Sequence, residues 1–180
     1  MKGKAALITG SATGIGKAIA CRLAQEGVHI AVNYSKSEKE ALETKKEIEA
    51  LGVNCIVIQG TVSDDRKVRD MVQQTIDTFG RLDILVNNAG VTDFVKHDDL
   101  EGLKEEYWDR VMDVNVKGMF FCCRAAAAEL KKTERLHSEY HFRSRNHRLR
   151  QFHRLCGLQS GGDQRDQITG PCDGTRSESE

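Results

Sequence analysis

Hydrophobic and polar positions along the first 132 residues alternate between two patterns. Short, mostly apolar runs recur at Ala5-Ala6-Leu7-Ile8, Val28 to Val32, Cys55-Ile56-Val57-Ile58 and Ile84-Leu85-Val86. Runs this short, without a polar face, predict strands covered on both sides. Longer stretches of helical period lie between them. Ile15, Ile19 and Leu23 share one face of Ile15 to Glu26, and Gly27 ends the pattern. Glu38 to Leu51 is charged and amphipathic and stops at Gly52. Asp64 to Phe79 gathers Val68, Val72 and Ile76 ahead of Gly80. A glycine just past the last turn is a helix stop. A long helical region runs from about Lys104 to Lys132, with a break or bend expected at Val114 to Gly118. Strands alternating with helices through right-handed crossovers predict an α/β fold. Its expected form is a Rossmann-type doubly wound parallel sheet, cut short after the long helix that follows strand four.

The pattern is lost after Lys132. All thirteen lysines and every valine lie at or before that residue. From Glu134 to Glu180 the aliphatic residues are Leu136, Leu149, Leu155, Leu158 and Ile168, while four histidines and eight arginines crowd the same stretch. Such a segment buries too little apolar surface to offset its ordering entropy, so residues 133–180 are expected to be disordered or loosely helical, with no further strand.

Charge and composition narrow the function classes. Twenty-seven basic residues balance 27 acidic ones over 180 residues, which argues against a polybasic nucleic-acid binder. No apolar run approaches membrane-spanning length. The N-terminus enters a strand directly, so no secretory leader is expected. The six cysteines then read as reduced thiols of a cytoplasmic protein. His137, His141, His147, His153 and Cys156 lack a paired Cys-x2-Cys partner, so no metal site is expected.

The chemistry sits at the strand ends. Thr9-Gly10-Ser11-Ala12-Thr13-Gly14-Ile15-Gly16 joins strand one to helix one. That is where the pyrophosphate of a dinucleotide rests on a helix N-terminus. Gly10 suits the tight turn, Gly14 a close approach to phosphate, and Gly16 close packing of helix on strand. The T-G-x-x-x-G-x-G spacing, Asn87-Asn88-Ala89-Gly90 after strand four, and Asn115 within Asp113-Val114-Asn115-Val116-Lys117-Gly118 occur in order. Together they resemble the short-chain dehydrogenase/reductase family over residues 3 to about 132, most nearly its 3-oxoacyl carrier-protein reductases.

The resemblance implies an NAD(P)-dependent oxidoreductase that moves a hydride between a nicotinamide and a ketone or secondary alcohol. Its substrate would be a small carbonyl or alcohol, a 3-ketoacyl compound among the candidates, with no nucleic acid or membrane partner. Residues 1–132 would then be an incomplete dinucleotide-binding domain. Gly10, Ser11, Thr13, Gly14, Ile15 and Gly16 would hold the pyrophosphate side. Asn88, Ala89 and Gly90 would line the adenosine, and Asn115 would bend the long helix and hold a water in a proton relay. Strand two ends Val32-Asn33-Tyr34-Ser35-Lys36, without the carboxylate that binds a ribose diol. Asn33, Tyr34, Ser35 and Lys36 therefore favour NADP(H) over NAD(H), although Thr13 stands where many NADP-preferring members carry arginine. Thr61-Val62-Ser63 replaces the family's Asp-Val-Ser/Thr, so Thr61 and Val62 meet the adenine without that carboxylate.

The rest of the family's catalytic set is missing. It needs a serine, and a tyrosine followed four positions later by a lysine. Tyr34, Tyr107 and Tyr140 are followed at that distance by Glu38, Val111 and Ser144. Ser138 and Tyr140 lie in a segment that matches nothing in the family, so Asn115 is the one surviving member. Read one base later, plausible codons for the tail restore the rest. Leu155 to Ser160 permits Tyr-Ala-Ala-Ser-Lys, and Arg135 to Arg143 permits Gly-Cys-Ile-Val-Asn-Ile-Ile-Ser. Thr169 to Glu180 permits Leu-Ala-Arg-Ala-Met-Ala-Pro-Glu-Val-Arg-Val. The hidden tyrosine falls 40 positions after Asn115 and 13 after the hidden serine, separations like those of the family. Residues from about Thr133 to Arg135 onward are thus expected to be a frameshift product, and the chain an inactive oxidoreductase or a non-catalytic dinucleotide-binding remnant. Intact members of the family are homo-oligomers. Here Leu85, Val86, Met119, Phe120 and Phe121 would lose cover, making this chain aggregation-prone.

Overall fold

The computed structural model describes residues 1–96 and 98–132, together with the backbone of 137–140. Its elements follow the order read from the sequence. Strands β1 (Ala5–Ile8), β2 (His29–Tyr34), β3 (Cys55–Gln59) and β4 (Ile84–Asn87) alternate with helices α1 (Gly14–Gln25), α2 (Glu38–Glu49) and α3 (Asp65–Phe79). Helices α4 (Glu105–Met112) and α5 (Met119–Lys132) come next, joined by a π-helical segment over Asp113–Gly118. The bend expected at Val114 to Gly118 falls within that segment.

All strand pairs are parallel, in the order β3-β2-β1-β4-β5. The central strand β1 is fully buried along its length. Its alternating side chains feed two cores. Ala6 and Ile8 join Ile30, Val32 and Val86 beneath Ala20 and Ala24 of α1 and Ala41 and Ile48 of α2. Leu7 joins Ala31, Ile58 and Leu85 beneath Val68, Met71 and Val72 of α3 and Cys122, Ala126 and Leu130 of α5. Each large aliphatic side chain so enclosed contributes about 1.5–3 kcal/mol. A two-sided core requires strands that are apolar at every position, which is why the runs show no alternation.

Local signals set the helix ends. The Asp64 carboxylate accepts from the amides of Arg66 (2.9 Å) and Lys67 (3.3 Å), capping α3. Gly80 closes the same helix at φ 74°, donating to the Ile76 carbonyl at 2.7 Å.

Two expectations need correction. A fifth strand, β5 (His137–Tyr140), lies parallel to β4, with Ser138 opposite Leu85 and Tyr140 opposite Asn87. The four alternating strands that carry the fold all precede Lys132, as expected, and β5 adds one short strand at the sheet edge. A ladder is made by backbone groups, and an open β4 edge offers a row of them to any extended segment that returns from α5. Leu85 and Val86 also keep their cover, at 0% and 2% exposure, because α5 and α1 lie over the two sheet faces. Phe120 is exposed and Met119 and Phe121 are half-buried, as expected, and Trp108, Met112 and Val116 add further exposure along the long helical region, the four exposed side chains being 37–59% accessible. The rest of the tail, with its expected disorder, lies outside the described residues.

Candidate functional site

The site lies at the carboxyl ends of the strands, where the order reverses between β1 and β4. In a doubly wound sheet that reversal opens a crevice. The Thr9–Gly16 turn forms one wall, and its geometry excludes larger residues at two glycines. Gly10 has φ 62°, and a Cβ there would stand 3.0 Å from the Ala89 Cα. A Cβ on Gly16 would stand 2.6 Å from the Gly10 carbonyl oxygen and 2.8 Å from the Ser11 Cα. Beyond them the turn opens outward. Thr13 is the N-cap of α1 without a side-chain cap bond, and Thr13, Gly14 and Ile15 are exposed. Nothing stands within 4 Å of the place a Gly14 Cβ would take. The first amides of a helix lack intrahelical acceptors, so this open start is a ready anion cradle. The site thus fits the pyrophosphate of a dinucleotide.

Asn88 and Ala89 hold the turn from below. The Asn88 side chain donates to the carbonyls of Thr9 and Gly10, both at 2.9 Å. The Thr9 hydroxyl accepts from the amides of Asn88 and Ala89, both at 3.0 Å, and donates to the Val86 carbonyl at 3.3 Å. Thr9 is therefore the hinge pin between the two motifs, a role its place in the glycine string did not single out. Ser11 faces inward as well. It is fully buried, and its hydroxyl donates to the Ile8 carbonyl at 2.7 Å. Its hydroxyl also accepts from the Asn33 amide at 3.2 Å, so the side chain is bonded within the fold.

A hollow of about 220 Å³ opens beside the turn. Gly10, Asn33, Ser35, Thr61, Val62 and Asn88–Gly90 line it, joined by Gly60, Val91 and Val114, which the motifs did not flag. Val62 is buried and packs closely on Gly118, where a Cβ would stand 2.7 Å from the Val62 Cγ2. Thr61 is exposed, its hydroxyl 2.8 Å from that of Ser63. A broader, open hollow of about 810 Å³ continues from it past Ser35, Lys36 and Lys67. These lysines give the outer rim positive charge. Arg110, on the same rim, is paired with Asp93.

Residues at the end of β2 divide. Ser35 and Lys36 are exposed on the rim. Tyr34 is buried, and loss of water around its hydroxyl, with Glu38 nearby, raises its pKa above the ordinary value. Asn33 is 2% exposed and turned into the protein, so its amide is not free for a phosphate.

Asn115 lies in the π-helical segment, and its side-chain amide bonds the Val91 backbone through both of its ends. Oδ1 accepts from the Val91 amide and Nδ2 donates to the Val91 carbonyl, both at 2.9 Å. It thereby pins the chain leaving β4 to the long helical region. Ser138 and Tyr140 are placed only by the backbone of β5.

Other chemistry is sparse. Among the described residues no group of three or more His, Cys, Asp or Glu side chains is placed to hold a metal. The tail histidines lie outside them. Among the described residues Cys21, Cys55 and Cys122 form no disulfide, and burial pushes the Cys55 and Cys122 thiols up to about 12. No described helix is long and apolar enough to cross a membrane.

A parallel sheet of this order, with a glycine-rich first turn at the reversal, defines a Rossmann-type nucleotide-binding fold. Residues 4–135 match the family model described as short chain dehydrogenase, and the chain belongs to the short-chain dehydrogenase/reductase family. It is 43% identical over 127 residues to the 3-oxoacyl-[acyl-carrier-protein] reductase FabG of Staphylococcus aureus, covering 71% of this chain and 50% of the relative. The enzyme of the same name from Staphylococcus epidermidis is 42% identical over 127 residues, covering 71% and 51%. Among solved structures, a Burkholderia cenocepacia short chain dehydrogenase in complex with NADP matches with a TM-score of 0.68 and 42% identity, covering 72% of this chain and 51% of that one. A Sinorhizobium meliloti dehydrogenase/reductase matches with a TM-score of 0.69 and 35% identity, covering 72% and 50%. The chain spans about half the length of the curated relatives it matches.

Proposed function

We propose that residues 1–132 form the cofactor-binding part of a carbonyl reductase that uses NADP(H) in preference to NAD(H), with a ketone or 3-ketoacyl compound as the substrate class. The observation that carries this reading is the open start of α1 beside a hollow walled by Gly10, Thr61 and Asn88–Gly90. The pyrophosphate would rest on the amides at the start of α1, the adenosine would enter the smaller hollow, and a 2′-phosphate would meet Ser35 and Lys36 on the rim. A bound nicotinamide cofactor supplies the hydride. Likeness to a dehydrogenase solved with NADP, and to two reductases of 3-oxoacyl carrier-protein substrates, supports both the cofactor and the substrate class.

The chain as written binds cofactor and does not turn over. Asn115 is the one member of the family's catalytic set found at a matching position, and its amide braces Val91. No tyrosine in the sequence is followed four positions later by a lysine. Residues from about 133 onward are a frameshift product. The match to the family model, which runs to residue 135, supports that boundary. A non-catalytic dinucleotide-binding remnant is the second reading, favoured by the same absence. Resequencing the gene across the codons for Thr133 to Arg135 tests the boundary. An unbroken frame with no family-like tail in the neighbouring frame would sink it. The reductase reading belongs to the intact gene and the non-catalytic reading to this chain, and NADPH oxidation by the 180-residue chain with ketones or 3-ketoacyl thioesters would contradict the second.

A further inference from the structure

Asn33 connects the two walls of the smaller hollow. Its Oδ1 accepts from the Gly10 amide at 3.0 Å. Its Nδ2 donates to the carbonyls of Gly60 (3.0 Å) and Ile58 (3.3 Å) and lies 2.9 Å from the Met71 sulfur. The main chain adds two bonds. The Asn33 amide donates to the Ser11 hydroxyl at 3.2 Å, and the Asn33 carbonyl accepts from the Ser11 amide at 2.9 Å. One buried residue is therefore tied to the glycine-rich turn on one side and to the β3–α3 turn on the other. Gly10 and Gly60 line the hollow from these opposite turns.

We propose that Asn33 is a positioning residue for the dinucleotide. It fixes the separation of the two walls and engages the amides of Gly10 and Ser11, so that anion binding falls to the amides further along, from Ala12 into the start of α1. The proposal rests on the cofactor reading above. A primary amide is suited to this place because it accepts on one side and donates on the other. Aspartate keeps the acceptor for Gly10 and loses both donors, leaving a carboxylate against two carbonyl oxygens. Alanine leaves the half-buried Gly10 amide and the buried Gly60 carbonyl without this partner. A turn freed in this way samples other peptide orientations, and cofactor binding must then order it, which lowers affinity.

The test compares Asn33→Ala and Asn33→Asp with a control, Thr75→Val. The control removes a buried hydroxyl that bonds the Met71 carbonyl within α3, away from the hollow. Two readouts use the full 180-residue chain. Amide hydrogen exchange at Gly10 and Ser11 is followed without cofactor, and NADPH and 2′,5′-ADP are titrated. Both Asn33 variants are expected to speed exchange at Gly10 and weaken both ligands by about tenfold or more, the loss that follows from unpairing these backbone groups. Thr75→Val should leave both readouts within about twofold while lowering the unfolding midpoint. Asn33→Ser, which keeps a small polar group, gives the same readouts should the other variants fail to fold. Gly10 exchange that rises no more than in Thr75→Val overturns the brace. Faster exchange with unchanged affinity overturns the positioning role. An unmodified chain that binds neither NADPH nor NADH contradicts the cofactor reading instead, and exchange at Gly10 still decides the brace.

Discussion

The two sides of the crevice at the strand ends are built to different degrees of completeness. Around the glycine-rich turn, Thr9, Ser11 and Asn33 have their side chains bonded within the fold, and Asn88, reaching across from the end of β4, completes the set. On the β4 side, Asn115 braces Val91, and the Asn87 Oδ1 is buried with no hydrogen-bond partner among the described residues. The match to the family ends at residue 135, just before β5 takes its place beside Asn87. The contrast lies between a turn whose polar side chains are bonded within the fold and a β4 end where one buried oxygen is left without a partner among the described residues. On the function proposed above, the first would hold the cofactor and the second would await the groups for proton transfer.

The largest effect should come from completing the weaker side. Replacing residues 133–180 with the neighbouring-frame reading restores a serine and a Tyr-x-x-x-Lys. It should raise NADPH-dependent ketone reduction by about 10²–10⁴-fold or more over the chain as written. A steady-state assay showing equal rates for the two chains would remove the contrast. The next effects damage the stronger side. Gly16→Ala forces a methyl toward the Gly10 carbonyl and should destabilise the fold by about 1–3 kcal/mol in urea unfolding, with cofactor affinity lost in parallel. Asn88→Ala removes the bonds to the Thr9 and Gly10 carbonyls and should cost about 1–3 kcal/mol by the same measurement. A loss below about 0.5 kcal/mol would show that the turn does not depend on Asn88.

A pH dependence is shared by both cores, negligible near neutral pH and growing only above about pH 9. Burial raises the Cys55 and Cys122 thiols from 9.0 to about 12. The unfolded chain therefore loses these protons first. The stabilisation is fully present below about pH 9 and declines as pH rises from there toward 12, by at most about 1.4 kcal/mol per pH unit for each thiol. Cys122→Ala should flatten that decline in urea titrations between pH 8 and 11. Neither thiol should react with iodoacetamide at pH 8 until the chain unfolds. Rapid alkylation of the native protein would contradict the burial.

Much of this architecture was legible because separate signals agreed. Gly27, Gly52 and Gly80 follow helical faces, and the apolar runs have no polar side, as strands covered on both faces require. The glycine string and Asn88-Ala89-Gly90 marked the crevice because few other residues fit such close contacts. What escaped was direction. Asn33 reads as a polar group at a strand end, and alternation cannot tell that it turns toward Met71 and Gly60 and not toward solvent. The π-helical segment reads only as a bend, because its period differs too little from 3.6 over six residues. Strand β5 escaped because its residues carry no strand pattern, and the β4 edge supplies the pairing.

The most direct measurement of the central claim is a fluorescence titration of the full chain with NADPH and with NADH, followed by addition of a ketone or 3-ketoacyl thioester. The account predicts saturable binding, tighter for NADPH, and no loss of the reduced cofactor after substrate is added. Absence of saturable binding, or tighter binding of NADH, would contradict it.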